Sequence, residues 1–588
     1  MENQKIELLL GAAMNASPSE LSEDSELSTG YNRETGIWEI IVRHTGIPES
    51  FHETFPTIDV TLLLAGYAIM RLPQDLIEPV SLLPYIVYIE KPKRFFYEIQ
   101  NAKRSSCISA LQTQPENPSS AFSGKGTLVA VIDSGIDYTH PDFRNPDGST
   151  RISALWDQTI SSDASLNRLP PEGYSLGTLF PKETIDEALK APTLEERLRI
   201  CPSQDLSGHG TAVAGIAAGN GNASNGTYRG IAYQADLLIV KLGTPSPTGF
   251  PSTTQLMEAV NYCIEYASSR GLPVAINLSF GNTYGSHSGS SLLETYLDAV
   301  SQYGQVCIVT GSGNEGSSGG HTGDRLAPNQ SQNIQFTIGE YEKSLSIQIW
   351  KNYWDEMRIQ LIPPTGTGIT FPLTPGYYRY SFGNTLLYLT AGDPSPYNLY
   401  QEFYLDFFPK DGYLDSGIWT LELIPQRISD GSWEMWMPSS ALRNPLTQFL
   451  TPTPDITLTI PSTAEKVISV AAYDSNFNQP ASFSGRGYNW NTGSVKPDLA
   501  APGVDITTSA PGGGYRALSG TSMAAPFVTG SCSLLMEWGI INGNDSYLYG
   551  EKAKAYLING ARPLPGITEY PNPLIGWGTL CLYDSIPL

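Results

Sequence analysis

Four short runs constrain the fold more than any other feature of the chain: Leu128–Ile132, Leu237–Val240, Val274–Ile276 and Val306–Val309 are apolar throughout, rich in β-branched residues, and end in Asp, Lys, Asn or Thr. A strand with one wet face alternates polar and apolar residues, whereas a strand covered on both faces does not. These runs therefore predict a parallel sheet with helices on both sides, and helical stretches fall between them at Thr211–Ala218, Thr254–Arg270 and Ser291–Tyr303. In such a sheet the chemistry belongs at the carboxyl ends of the strands.

The rhythm is interrupted and then resumes. From about Asp324 to Asp455 the chain is aromatic-rich, with stretches at Leu345–Trp350, Leu386–Leu389 and Trp419–Ile424, turn signals at Asp411-Gly412 and Asp430-Gly431, and no convincing helix. That reads as an antiparallel β-sandwich inserted into the α/β domain. The α/β pattern returns at Lys466–Val470. Ahead of it all, strand-like segments at Trp38–Val42, Ala65–Arg71 and Tyr85–Glu90 form a separate small unit, divided from the rest by a basic, then Ser/Gln/Pro-rich linker from Lys91 to Ala121. The predicted division is residues 1–100, 101–323, 324–455 and 456–588.

Charge narrows the partners. Lys+Arg 35 against Asp+Glu 58 leaves a net −23, which repels phosphate backbones and anionic headgroups, so nucleic acid is not an expected partner. The longest apolar candidate, Val60–Met70, stops at Arg71, and no membrane insertion is expected. Leu8–Met14 is too short, and its acidic flanks Glu2 and Glu7 are wrong, for a secretion signal. The six cysteines, at 107, 201, 263, 307, 532 and 581, show no CxxC and no metal-like spacing, and read as buried thiols of a reducing compartment.

Three segments place a reactive side chain among small residues at an element boundary. Asp133 ends the first buried run, in Val131-Ile132-Asp133-Ser134-Gly135; alone it is equally a turn former. His209, in Ser207-Gly208-His209-Gly210-Thr211, opens a helix, where the positive end of the dipole favours the neutral imidazole a general base needs. Ser522, in Gly520-Thr521-Ser522-Met523-Ala524-Ala525-Pro526, heads another helix whose free amides suit a developing oxyanion; alone it is a helix cap. Together they supply acid, base and nucleophile.

These motifs, in this order, resemble the subtilisin-like serine proteases over roughly Gly126–Gly320 and Ile456–Leu580. The resemblance implies that Asp133 orients His209, that His209 deprotonates Ser522, and that Ser522 attacks a peptide carbonyl. It also assigns Asn314, in Gly311-Ser312-Gly313-Asn314-Glu315-Gly316, to the oxyanion hole. The same stretch spells a dinucleotide-binding GxGxxG, but residues 317–323 are poor material for the helix such a motif must open. Substrate backbone would pair with Ser279-Phe280-Gly281 and with the loop Thr248–Ser252, and Gly311-Ser312-Gly313 would wall the pocket for the residue before the cut; Phe280 is also a plausible core residue. His140 reads as structural. Asp142 aligns with a family calcium ligand, yet the ligand-rich loop is replaced by 219–225, so neither metal nor cofactor is expected.

The first hundred residues resemble the family's propeptides, with Tyr88–Tyr97 as the tail that occupies the cleft and a first cut within Phe96–Arg104. Propeptide, insert and acidic core together are similar to the Csp germination proteases. That implies a cytoplasmic or spore-associated enzyme that matures its own N-terminus and cuts a protein substrate, the precursor of a cortex-lytic hydrolase. Two alternatives remain at this point: a secreted degradative protease, and a pseudoprotease that only binds. The insert, with no His or Cys to act as base or nucleophile, is expected to clamp the enzyme, or else to dock substrate from a flexible tether.

Overall fold

The structure, a computed structural model, describes residues 5–15, 30–32, 35–63, 66–91, 103–112, 121–245, 251–394 and 398–587. The chain divides into two compact units, residues 1–96 and 97–588.

In the first unit Ile37–His44 lies at the centre of a five-stranded antiparallel sheet, with Tyr67–Pro73 and Ile86–Glu90 as its main partners. Trp38, Ile40 and Val42 alternate inward and are fully buried, together with Met70, Leu72, Ile86 and Ile89. The apolar stretch Val60–Met70 contributes to two strands here, Asp59–Leu63 pairing antiparallel with Tyr67–Pro73.

The second unit is built on a nine-stranded sheet. Its middle runs Ile468–Asp474, Val306–Gly311, Val274–Leu278, Leu128–Asp133, Asp236–Lys241 and Ile152–Asp157, every neighbouring pair parallel. The apolar runs behave as their composition requires. Val129 and Val131 face one buried cluster and Leu128, Ala130 and Ile132 the other, and the same alternation holds for Leu237–Val240 and Val306–Val309. One face carries the helix Thr253–Arg270, started by a reciprocal Ser252–Gln255 capping box and stopped by Gly271 in the left-handed conformation. The opposite face carries His209–Ala218 and Thr521–Met536, packed on each other.

Several expectations need correction. Ile152–Asp157, Thr178–Pro181, the parallel strand Leu499–Pro502 and the helices Lys182–Lys190, Leu194–Ile200 and Gly550–Asn559 were not anticipated, and the strand expected from Lys466 begins at Ile468. The segment Thr521–Ile541 is long and apolar enough to span a membrane, contrary to the reading of the runs. It is 89% buried inside the fold, which is where a core helix belongs. Cys107 and Cys581 are joined in a disulfide, so the expectation of six thiols fails for these two; Cys201, Cys263, Cys307 and Cys532 are buried and free.

The insert comprises two antiparallel sheets, of six and five strands, around one aromatic core that includes Phe336, Phe407, Trp419 and Trp433. It is seated on the α/β core. Tyr400 stacks on Trp490 at 3.9 Å and His287 on Trp436 at 4.2 Å. Thr283 Oγ1 donates to the Met437 carbonyl, Gln348 Oε1 accepts from Gly285 N–H, and Trp436 Nε1–H donates to Ile456 O. A segment held by buried aromatic stacking and by paired polar groups opens with the core and not before it. Limited proteolysis by an unrelated protease should therefore give no early cuts near Gly320 and Ile456; early release of an intact 321–455 fragment would show a tethered module instead.

Candidate active site

Asp133 is the last residue of a central parallel strand and is fully buried. Its Oδ1 accepts from Ser134 N–H and faces His209 Nδ1, both at 2.7 Å. With Nδ1 committed to the carboxylate as donor, the other ring nitrogen, Nε2, is left with its lone pair able to accept a proton. His209 opens its helix after Gly208, whose φ of +71° a residue with a side chain adopts at a cost. Gly210 is equally required: a Cβ there would lie 2.1 Å from Gly135 O, so only glycine lets the His209 helix approach the Asp133 turn.

A residue the sequence reading missed holds this turn together. Asp205, buried, accepts through Oδ1 from Gly208 N–H and Ser134 Oγ at 2.8 Å, and through Oδ2 from Thr211 N–H at 2.8 Å and Thr211 Oγ1 at 2.7 Å. Ser134 Oγ in turn accepts from Gly210 N–H at 2.9 Å. The signal was available: an acidic residue just before a helix start satisfies the orphan amides of the first turn. Burial disfavours the charged imidazole of His209, but the charge and hydrogen bond of Asp133, with the charge of Asp205, outweigh burial and the opposing Arg516, so, against the expectation from the helix dipole, His209 titrates above an ordinary histidine. Asp205→Asn removes one of these charges while keeping an acceptor. The acidic limb of the kcat/KM profile should move to lower pH, with the plateau reduced by less than about tenfold. A limb that stays in place would show that the Asp205 charge does not reach His209.

Ser522 stands in the first turn of Thr521–Met536, after Gly520. Asn314 follows the strand Val306–Gly311, and its Oδ1 accepts from Thr521 N–H at 3.0 Å and Thr521 Oγ1 at 3.2 Å. An amide oxygen fixed on a backbone donor leaves no ambiguity of flip, and Nδ2 is the group free to donate. Gly313 N–H bonds Thr521 Oγ1 at 3.2 Å, and Ser279 Oγ reaches Ser522 O at 3.4 Å and Asn277 Nδ2 at 2.9 Å, so the three segments are tied to one helix start.

A cavity of about 310 Å³ opens beside Ser522, lined by Ser279, Phe280, Gly281, Gly311, Gly313, Asn314, Glu315, Thr459 and Thr521, and by Ser439, Ser440 and Ala441 of the insert. Phe280 also faces a second cavity of about 100 Å³ with Leu242, Pro251 and Leu256, and packs on the sheet's core. The expectation for Ser312 is corrected: it is fully buried, its hydroxyl lies 3.2 Å from Ser484 Oγ, and it is absent from the cavity wall. Of the loop Thr248–Ser252, residues 248–250 lie outside the described residues, as do residues 92–102 and with them most of the expected tail and first cut.

His140 is structural, its Nδ1 accepting from Asp142 N–H and its Nε2–H donating to Gly514 O. The Asp142 carboxylate, where a family calcium ligand aligns, takes Ser509 Oγ and Tyr515 OH at 2.8 Å and Ala223 N–H at 2.9 Å; protein donors do there what a cation would. Among the described residues no group of three or more His, Cys, Asp or Glu side chains could hold a metal ion.

A parallel α/β core that sets an Asp–His pair at a strand end, and a serine at a helix start whose neighbour Thr521 is held by Asn314, defines a serine peptidase. The chain belongs to the subtilase family, whose model matches residues 124–404 and 451–578, and residues 4–93 match the Csp protease B prodomain. It is similar to the solved CspB protease of Clostridium perfringens, at 35% identity and a TM-score of 0.74, covering 82% of this chain and 96% of that one. Among curated relatives, the Lactococcus lactis subsp. cremoris PI-type proteinase is 25% identical over 77% of this chain, and the Bacillus subtilis minor extracellular protease Vpr 24% over 86%. The chain spans a quarter of the length of the former and 59% of the latter. It is thus a subtilisin-like serine protease with a Csp-type prodomain.

Proposed function

We propose that this protease removes its own prodomain and then makes a limited number of cuts in a protein substrate, the precursor of a spore cortex-lytic hydrolase. In this reading His209 Nε2 takes the Ser522 Oγ proton as Oγ bonds to the scissile carbonyl carbon, then returns that proton to the departing amine. Water repeats the sequence to release the acyl group. Asp133 holds the imidazole and balances the imidazolium. Asn314 Nδ2 and the amides of the Ser522 turn receive the oxyanion, and the 310 Å³ cavity takes the residue before the cut.

The observation that carries the reading is the coincidence of a Csp-type prodomain match at residues 4–93 with the 2.7 Å Asp133–His209 pair and the Thr521-anchored Asn314. The four functional side chains are present, which disfavours a pseudoprotease. The similarity to CspB, at 35% identity over 82% of the chain, supports the germination-protease reading over that of a secreted enzyme like the extracellular protease Vpr, which is 24% identical. N-terminal sequencing of the purified chain tests self-maturation. A new terminus within Phe96–Arg104 supports it, and an intact N-terminus in a chain that hydrolyses peptides counts against it.

A further inference from the structure

We propose that the inserted sheets complete the pocket for the residue before the cut, and that their Ser439 and Ser440 occupy the carboxylate of Glu315 with hydrogen bonds so that the pocket selects uncharged side chains. The inference rests on Ser522 being the nucleophile and on the cavity beside it receiving that residue.

Among the described residues, Glu315 is the one charged side chain in the cavity wall. A buried carboxylate at the bottom of a pocket ordinarily calls for lysine or arginine, because its charge is costly to leave unpaired. Here the insert answers it before any substrate arrives. Ser439 Oγ donates to Oε1 at 2.6 Å, Ser440 Oγ to the same oxygen at 3.2 Å, and Ser440 N–H is shared between Oε1 and Oε2 at 3.2 and 3.1 Å. Oε1 is saturated, and Oε2 is already engaged.

The segment that brings these donors is fastened by a cation. Arg443, buried, donates Nε–H to Pro438 O at 3.0 Å, Nη2–H to Ser318 O at 2.7 Å, and Nη1–H to Thr447 O. Every donor nitrogen of Arg443 is thus spent on a carbonyl, while the charge of Glu315 favours the buried guanidinium cation against the cost of its burial. A lysine or arginine entering the cavity would have to displace serine donors to pair with the carboxylate. An uncharged side chain would meet Ser279, Thr459, Ser439 and Ser440 without that penalty. Ser439 is 124 positions from Glu315, so the specificity of the α/β core is set in part by a module that supplies none of its chemistry.

The test uses two peptidyl phosphonates that acylate-mimic at a nucleophilic serine and differ only before the phosphorus, in a lysine or a norleucine side chain of matched length. Labelling rates are measured on the full chain and on Ser439→Ala/Ser440→Ala, alone and combined with Glu315→Gln. The parent should react at least about tenfold faster with the norleucine probe. The double variant removes both hydroxyl donors, leaving the carboxylate only the amide of residue 440, and should shrink that preference by about tenfold, and adding Glu315→Gln should restore it. A parent that prefers the lysine probe, or a double variant whose preference changes by less than about twofold, overturns the inference. So does labelling by a simple fluorophosphonate without labelling by either peptidyl probe. Failure of all three reagents counts instead against Ser522 as nucleophile, and so separates the two claims.

Discussion

Ser522→Ala is expected to lower peptide hydrolysis by about a millionfold, the scale on which subtilisin itself suffers from loss of its nucleophile, and to leave the chain at full length. The size follows from how the site divides its work. The Asp133–His209 pair has no function once the hydroxyl whose proton it takes is gone, so removing the serine forfeits the whole relay at once. What remains is the donor set of Asn314 and the helix start, which accelerates attack by water only modestly. The structural cost is small, because Ser522 is half-buried at a helix end and its neighbours Thr521 and Met523 carry the packing. In a host without related proteases the parent chain should shed a fragment of about 10 kDa, from roughly 100 residues, and the variant should not. Equal cutting of the two would reject self-processing while leaving hydrolysis to be judged separately.

Asn314→Leu is the second large effect. Its Oδ1 is held by Thr521 N–H and Oγ1, so Nδ2 is preset and needs no reorganisation when the carbonyl oxygen takes up charge. Such a donor acts in the transition state and hardly at all in the bound substrate. Turnover should fall by about 100- to 1000-fold, about 2.7 to 4 kcal/mol of barrier, with KM little changed. Leucine also leaves Thr521 N–H without its acceptor, which costs about 1–3 kcal/mol of stability. A melting measurement beside the kinetics keeps the two losses apart. Unchanged turnover would remove Asn314 from the site, and a rise in KM with turnover intact would make it a binding residue.

The parts of this site that the sequence made legible share a property: their physics is local. Asp133, His209, Asn314 and Ser522 each sit within a few residues of the glycine and the strand or helix end that position them, and the apolar runs announce burial on both faces with no knowledge of what covers them. Ile152–Asp157 escaped notice because Ser153 and the closing Trp156-Asp157 break an apolar run that register with Asp236–Lys241 nonetheless completes. The Cys107–Cys581 bond spans 474 positions, and no spacing rule reaches so far. Glu315 lay in plain view within the Asn314 motif, but what decides its chemistry, Ser439 and Ser440, arrives from another sheet system through tertiary packing alone. Asp205 was readable as a helix cap and was passed over because capping is common and a role in tuning a base is not.

The central claim is that Ser522 is a nucleophile activated by His209. Intact-mass and peptide mapping after treatment with a serine-directed fluorophosphonate tests it most directly, run on the parent chain and on His209→Ala. The parent should carry one adduct, on Ser522, and the variant should label at least about a thousandfold more slowly. No adduct on Ser522, or labelling that is indifferent to His209, would contradict the account.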